Sequence, residues 1–154
     1  MKINVSPPKY SIPATPEALV LFIKGTIKVQ ELVMLYAHVA SSDINDGVEK
    51  SHAIENVTIN YKVEGNQIII ISANFIKANR YDRYYKMSIH FLARLVERGF
   101  DFNIFIPIYK YVQMHDIEDG TEIELISQYV SAVFVKYDNT IKLLSGWPGS
   151  RSAA

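Results

Sequence analysis

The sequence predicts an α+β fold: an N-terminal helical segment and hairpin, a central short helix, and a C-terminal antiparallel meander. Three observations predict it. Residues 88–99 carry a helical period with both ends marked by capping residues. Residues 57–73 hold two strand-coded runs, rich in β-branched side chains, on either side of a turn. In the second half the helix comes first and three strand-coded runs follow it, which is the α+β order. Hydrophobic residues make up 49% of the 154, too many for a disordered chain and enough for one sizeable core. Residues 1–148 are therefore expected to form a single α+β domain. Residues 149–154, small and polar, are expected to form a disordered tail.

Residues 1–15 read as an extended arm, because Pro7, Pro8 and Pro13 suppress regular structure. Thr15-Pro16-Glu17 is a helix start, with a cap, a proline at the first position and an acid in the first turn. The apolar run 18–40 follows as a helix interrupted at Gly25-Thr26. Thr26-Ile27-Lys28-Val29 alternates like a strand, so both readings stay open there. Residues 41–50 form a polar loop around Asp46-Gly47. Residues 57–63 and 67–73 pair across Glu64-Gly65-Asn66, and the second of these strands, apolar on both faces, is expected to be buried.

Residues 74–86 read as a basic connection bearing Tyr81, Tyr84 and Tyr85. Ser88 is placed to cap the next helix, and Gly99 suits the left-handed residue that follows one. Between them Ile89, Leu92, Ala93, Leu95 and Val96 cover one broad side, the side expected to face a core. Residues 102–112 fit strand or helix, with Pro107 suited to starting a second short helix. Asp119-Gly120 is a turn. Residues 122–126, 129–137 and 140–145 are three strands, the last two joined by the two-residue turn Asp138-Asn139. The middle strand carries Val130, Ala132, Val133, Phe134 and Val135, apolar on both sides, and is expected at the centre.

Sixteen basic residues balance sixteen acidic ones, so no global field draws the chain to nucleic acid or to a membrane. Charge is local instead. Lys77, Arg80, Arg83, Lys86, Arg94 and Arg98 gather against Asp82 and Glu97, and the acids cluster at 43–55 and 116–124. With no cysteine, disulfide and thiolate chemistry are excluded. The N-terminus lacks the apolar run of a signal peptide, and no stretch reaches the roughly 20 apolar residues that span a bilayer. A soluble cytoplasmic protein without a membrane partner is expected. The sequence holds no Gly-rich phosphate loop, zinc spacing, Gly-x-Ser-x-Gly elbow or EF-hand loop, and its four histidines form no i, i+4 pair. Neither a metal nor a cofactor is predicted.

Opposite the apolar side of the central helix, His90, Arg94, Glu97 and Arg98 share a narrow polar arc. A base and two cations displayed on one rigid element suit a phosphate-handling site; a solvated helix face has the same pattern. The stretch from His90 to Arg98 resembles the His-x-x-x-Arg helix of the RegB-like phage endoribonucleases and of RNase toxins of the barnase/EndoU/colicin/RelE-like fold. Residues 141–148 are similar to the closing strand of such toxins, which ends in a hydroxyl residue followed by an aromatic and a proline: here Ser145, Trp147 and Pro148. The match covers residues 83–148.

This resemblance implies a metal-free endoribonuclease acting on single-stranded RNA. The ribose 2′-oxygen would attack the adjacent phosphorus, leaving a 2′,3′-cyclic phosphate and a 5′-hydroxyl. His90 would be the base and Arg94 its paired cation. Lys110, or His115 nearby, stands where related proteins carry a second histidine and would serve as acid or stabiliser. Arg98 would grip phosphate, Arg83 and Tyr84 would hold the RNA backbone and an unpaired base, and Ser145 would supply the hydroxyl of the closing strand. Two readings without chemistry stand beside it. One is an inhibitor that binds a host protein, favoured by the zero net charge and the missing second histidine. The other is a small assembly subunit, favoured by the apolar content and the extended arm.

Overall fold

Helices and strands fall in the order the sequence predicts, with additions at the sheet edges. The computed structural model describes residues 1–77, 81, 83–128 and 130–148. Among them are four α-helices and eight strands, an α+β protein ending in an antiparallel meander. The chain divides into two compact units: residues 1–8 with 81–154, and residues 9–80. The sequence has no composition shift at either junction, which is set by which segments pair. The expected tail at 149–154, Arg80 of the basic connection and Tyr129 of the expected middle strand lie outside the described residues.

In the three-stranded unit, α1 (Pro16–Ile23) begins as its signal requires, with Thr15 Oγ1 accepting the Ala18 N–H at 3.2 Å. The chain then breaks at Gly25 and restarts as α2 (Val29–Ser42), where the Glu31 carboxylate accepts the Lys28 N–H at 2.9 Å. Residues 29–42 are thus helical throughout. Strands β2 (Lys50–Ile54), β3 (Val57–Glu64) and β4 (Gln67–Phe75) form an antiparallel sheet in that order. Gly65 and Asn66 both take positive φ, 55° and 63°, as a two-residue hairpin turn needs. Val57, Ile59, Tyr61 and Val63 are buried along one face of β3, as are Leu32, Leu35 and Val39 of α2. On the other face Ser51, Asn60 and Ser72 form a hydrogen-bonded row. Against expectation, β4 is an edge strand, with Ile69 and Ile71 only half-buried. β2 was not legible, since Lys50-Ser51-His52-Ala53-Ile54 contains one strongly apolar residue.

The five-stranded sheet is ordered β1 (Lys2–Asn4), β6 (Glu122–Ile126), β7 (Val130–Tyr137), β8 (Thr140–Pro148), β5 (Tyr84–Met87). β7 is central, as its apolar sequence requires. β1 runs parallel to β6 and β5 parallel to β8. Both come from stretches the sequence marks as arm and connection. At three and four residues they are too short to show a period, and only their long-range partners define them. α3 (Ile89–Arg98) has the predicted ends: Ser88 Oγ accepts the Phe91 N–H at 3.1 Å, and Gly99 sits at φ 68°. After a 3-10 turn at Phe102–Ile104, α4 (Phe105–Met114) follows, so the helical reading of 102–112 holds.

One face of this sheet carries Ile123, Leu125, Ala132, Phe134, Ile141, Leu143 and Gly146, which share a side by register. The helices pack there. Phe91 and Leu95 are the buried side chains of α3. The Phe91 ring meets those of Phe100 and Phe105 at 5.8 and 6.4 Å. This corrects the expected apolar side: Ile89 is 86% exposed and Val96 62%, and Ala93 is exposed between them. Apolar residues occupy more than half of the helix circumference, and periodicity cannot say which part is used. The largest ring decides, because Phe91 removes the most apolar area from water.

Candidate functional site

The polar arc of α3 is real but already engaged. His90 is exposed in the first turn. Arg94 Nη1 pairs with Glu97 Oε2 at 2.6 Å, and Arg94 Nε is buried with no hydrogen-bond partner among the described residues. Arg98 Nη1 donates to the Gly146 carbonyl oxygen at 2.9 Å, tying the end of the helix to β8. Arg94 is thus paired along α3, and Arg98 ties its end to β8 while staying exposed to solvent.

On α4, Lys110 is exposed. His115 follows the last residue of the helix; its ring stacks on Tyr111 at 4.1 Å and its Nδ1 donates to the Tyr111 carbonyl oxygen at 3.1 Å. Tyr111 in turn lies edge-on to Phe134, on the helix-covered face of the sheet.

Strand register separates the remaining candidates from these. Residues paired across adjacent strands point to the same side of a sheet. Tyr85 pairs with Ile141 and Met87 with Leu143, on the helix-covered side. The Tyr85 ring stacks with Tyr109 of α4 at 6.3 Å, and its hydroxyl is buried without a hydrogen-bond partner among the described residues. Burial first, then Tyr109, pushes that phenol well up from its ordinary range, and Arg83 opposes the shift. On the opposite side stand Tyr84, Thr140 and Tyr137 in one row, and Lys86, Lys142 and Val135 in the next. Ser145, paired with Val133, shares that side. The sheet thus divides the eight predicted residues. Tyr84 and Ser145 lie on one face, while α3 and α4, with His90, Arg94, Arg98, Lys110 and His115, pack on the other. Arg83 leads into β5, half-buried.

The structure brings together a set the sequence did not single out. A groove of about 500 Å³ is lined by Lys86, Ser88, Tyr137, Thr140 and Lys142, with Met87, Asp138 and Asn139. Lys86 and Lys142 face each other across the parallel pair of β5 and β8. Like charges directly opposed on neighbouring strands are unfavourable, and neither ammonium makes an ion pair among the described residues. Among the described residues the groove's one carboxylate, Asp138, makes no ion pair with either lysine, and behind it Asp119 accepts from Lys136 Nζ at 2.8 Å and from the Asp138 N–H at 3.0 Å. Those two bonds, Lys136 first, hold the Asp119 carboxyl below the usual carboxylate range. Tyr84-x-Lys86 and Thr140-x-Lys142 do show the i, i+2 signal of one strand face. Without knowing that residues 84–87 form a strand, nothing connects the two pairs.

Among the described residues no group of three His, Asp or Glu side chains stands close enough to hold a metal, and no helix is long and apolar enough to cross a membrane. The chain matches no family model, and no curated protein or solved structure is significantly similar to it.

Proposed function

We propose that the five-stranded unit binds single-stranded RNA and, in the sharper form of the same idea, cleaves it without metal. The supporting observation is the Tyr84–Thr140–Tyr137 row beside the opposed Lys86 and Lys142 on one sheet face. Tyr84 is 51% and Tyr137 54% exposed. Unpaired bases stack on such rings at a gain of about 1–3 kcal/mol each, and the lysines would neutralise successive phosphates. A duplex hides its base faces, so single strands are the fitting ligand.

In the cleaving form, His90 takes the ribose 2′-proton and the 2′-oxygen attacks the adjacent phosphorus. The bond to the 5′-oxygen breaks, and that oxygen leaves as a hydroxyl with a proton taken from solvent water. His90 is favoured as base because it is the exposed imidazole in the polar arc of α3, four residues from Arg94. Beside it Arg94 and Arg98 keep the phosphorane-stabilising role that the resemblance assigns to them, while Lys86 and Lys142, on the opposite face of the sheet, hold neighbouring phosphates of the same strand.

A short fluorescent single-stranded RNA, titrated in EDTA, tests both forms. Wild type should bind. Lys86→Ala and Lys142→Ala should each weaken binding and flatten the slope of log K against log salt by about 0.7. Cleavage by wild type and not by His90→Ala would establish the enzyme. Binding without cleavage removes the catalytic form, and no binding removes both.

A second reading, a non-catalytic protein that binds another protein, is favoured by the exposed Ile89, Ala93 and Val96 stripe on α3. A single stoichiometric protein partner, lost in Ile89→Asp and accompanied by no nuclease activity, would support it.

A further inference from the structure

The three-stranded unit holds a pair of titratable rings that the RNA proposal does not use. His38 of α2 and His52 of β2 stack face to face, with centroids 3.7 Å apart and planes 8° from parallel. The Tyr61 ring lies edge-on to His38 at 6.4 Å. His52 pairs with Ile59, so it points to the same buried side of the sheet as Tyr61. β2 is an edge strand in which Ile54 is the one fully buried side chain. The stacked rings are therefore a substantial part of what holds that edge to α2.

The charged groups around the stack are paired with one another or stand exposed, as Glu49 and Glu55 do at the two ends of β2. On β2, Lys50 shares the His52 side and is bound to Asp46 at 2.8 Å. On β3, Tyr61 is a phenol whose proton burial holds more tightly than usual, and Lys62 and Glu64 pair with each other at 3.5 Å. On α2, Glu31 accepts the Lys28 N–H, and Asp43 beyond the helix end pairs with Lys9. Neither histidine makes an ion pair among the described residues. One imidazolium over a neutral imidazole is attractive, as a cation over a π face. Two imidazolium ions in this stack repel each other at close range.

We propose that the His38–His52 stack is a pH-sensitive clasp, closed while the two rings share at most one proton and opened when acid forces a second one on. In keeping with this, burial first and the charge of His38 second hold His52 below the ordinary imidazole range. The sign follows from linkage. A histidine whose pKa is depressed by folding contributes its full stability above the free value of about 6.5. That contribution falls as the pH drops from there toward the lower folded value.

Histidine ring resonances of the full chain, followed by NMR against pH, read the clasp directly, together with amide exchange along β2. In wild type, His52 should titrate below about 6.5, and β2 amides should lose protection in acid while β3 keeps its own. His38→Phe retains a stacked ring and removes one charge. It should move the His52 titration upward and preserve β2 protection in acid. His52→Phe, which removes the other charge, should likewise preserve β2 protection in acid, which covers the case where one variant fails to fold. An ordinary or raised His52 titration in wild type overturns the proposal, and so does equal acid opening of β2 in both variants.

Discussion

Gly146→Ala probes the contact on which the layout of the five-stranded unit rests. Gly146 lies on β8, on the side covered by helices, and a Cβ there would stand 2.7 Å from Ile104 Cδ1 and 3.0 Å from Phe100 Cζ. Carbon atoms prefer about 3.5–4.0 Å, so something must give by close to an ångström. Ile104 and Phe100 are both buried, which leaves their tips little room. Overpacking of this kind costs about 1–3 kcal/mol. Any shift of β8 also strains the 2.9 Å bond from Arg98 to the Gly146 carbonyl.

Trp147, the single tryptophan, is the next residue and is buried, so its fluorescence reports this unit. Urea unfolding followed that way should show a lower midpoint at unchanged slope. The melting temperature should fall by roughly 2–4 °C per kcal/mol. Ile104→Val deletes the clashing methyl and alone costs about 0.5–1.5 kcal/mol. Combined with Gly146→Ala it should relieve the clash, so the double variant loses less than the sum. Wild-type stability for Gly146→Ala, or strict additivity in the double variant, would refute the close packing of the 3-10 turn on β8.

Truncations on α3 distinguish its real inward face from the one periodicity predicts. Phe91→Ala should cost about 3–5 kcal/mol, while Ile89→Ala, at an exposed site, should stay within about 0.5 kcal/mol of wild type. Comparable losses at the two positions by chemical denaturation would mean that the helix is turned differently. Asp119 adds a pH dependence. Its carboxyl is held below the ordinary range by Lys136, so its contribution is present above about 3.8 and is lost as the pH falls through the folded value. Asp119→Asn should therefore flatten the acid limb of stability measured by Trp147 fluorescence, and an unchanged limb would count against the Lys136 bond.

Signals confined to neighbouring residues were legible in the chain. The Ser88 cap and Gly99 stop of α3, the Gly65–Asn66 hairpin turn and the mainly apolar β7 are each specified by residues a few positions apart. Their chemistry, an oxygen for a free amide, a permitted left-handed φ, a strand dry on both faces, acts locally. His90 was likewise legible as an exposed residue on the polar side of that helix. The tertiary structure alone made strands of residues 2–4 and 84–87, turned α3 onto Phe91, and placed Ser145 across the sheet from His115. It also set Lys86 against Lys142 and His38 against His52. Residues 56 or 14 positions apart carry no mark of each other in the sequence. Their meeting depends on which strands pair and which face of a helix buries the largest ring, and the whole chain settles that at once.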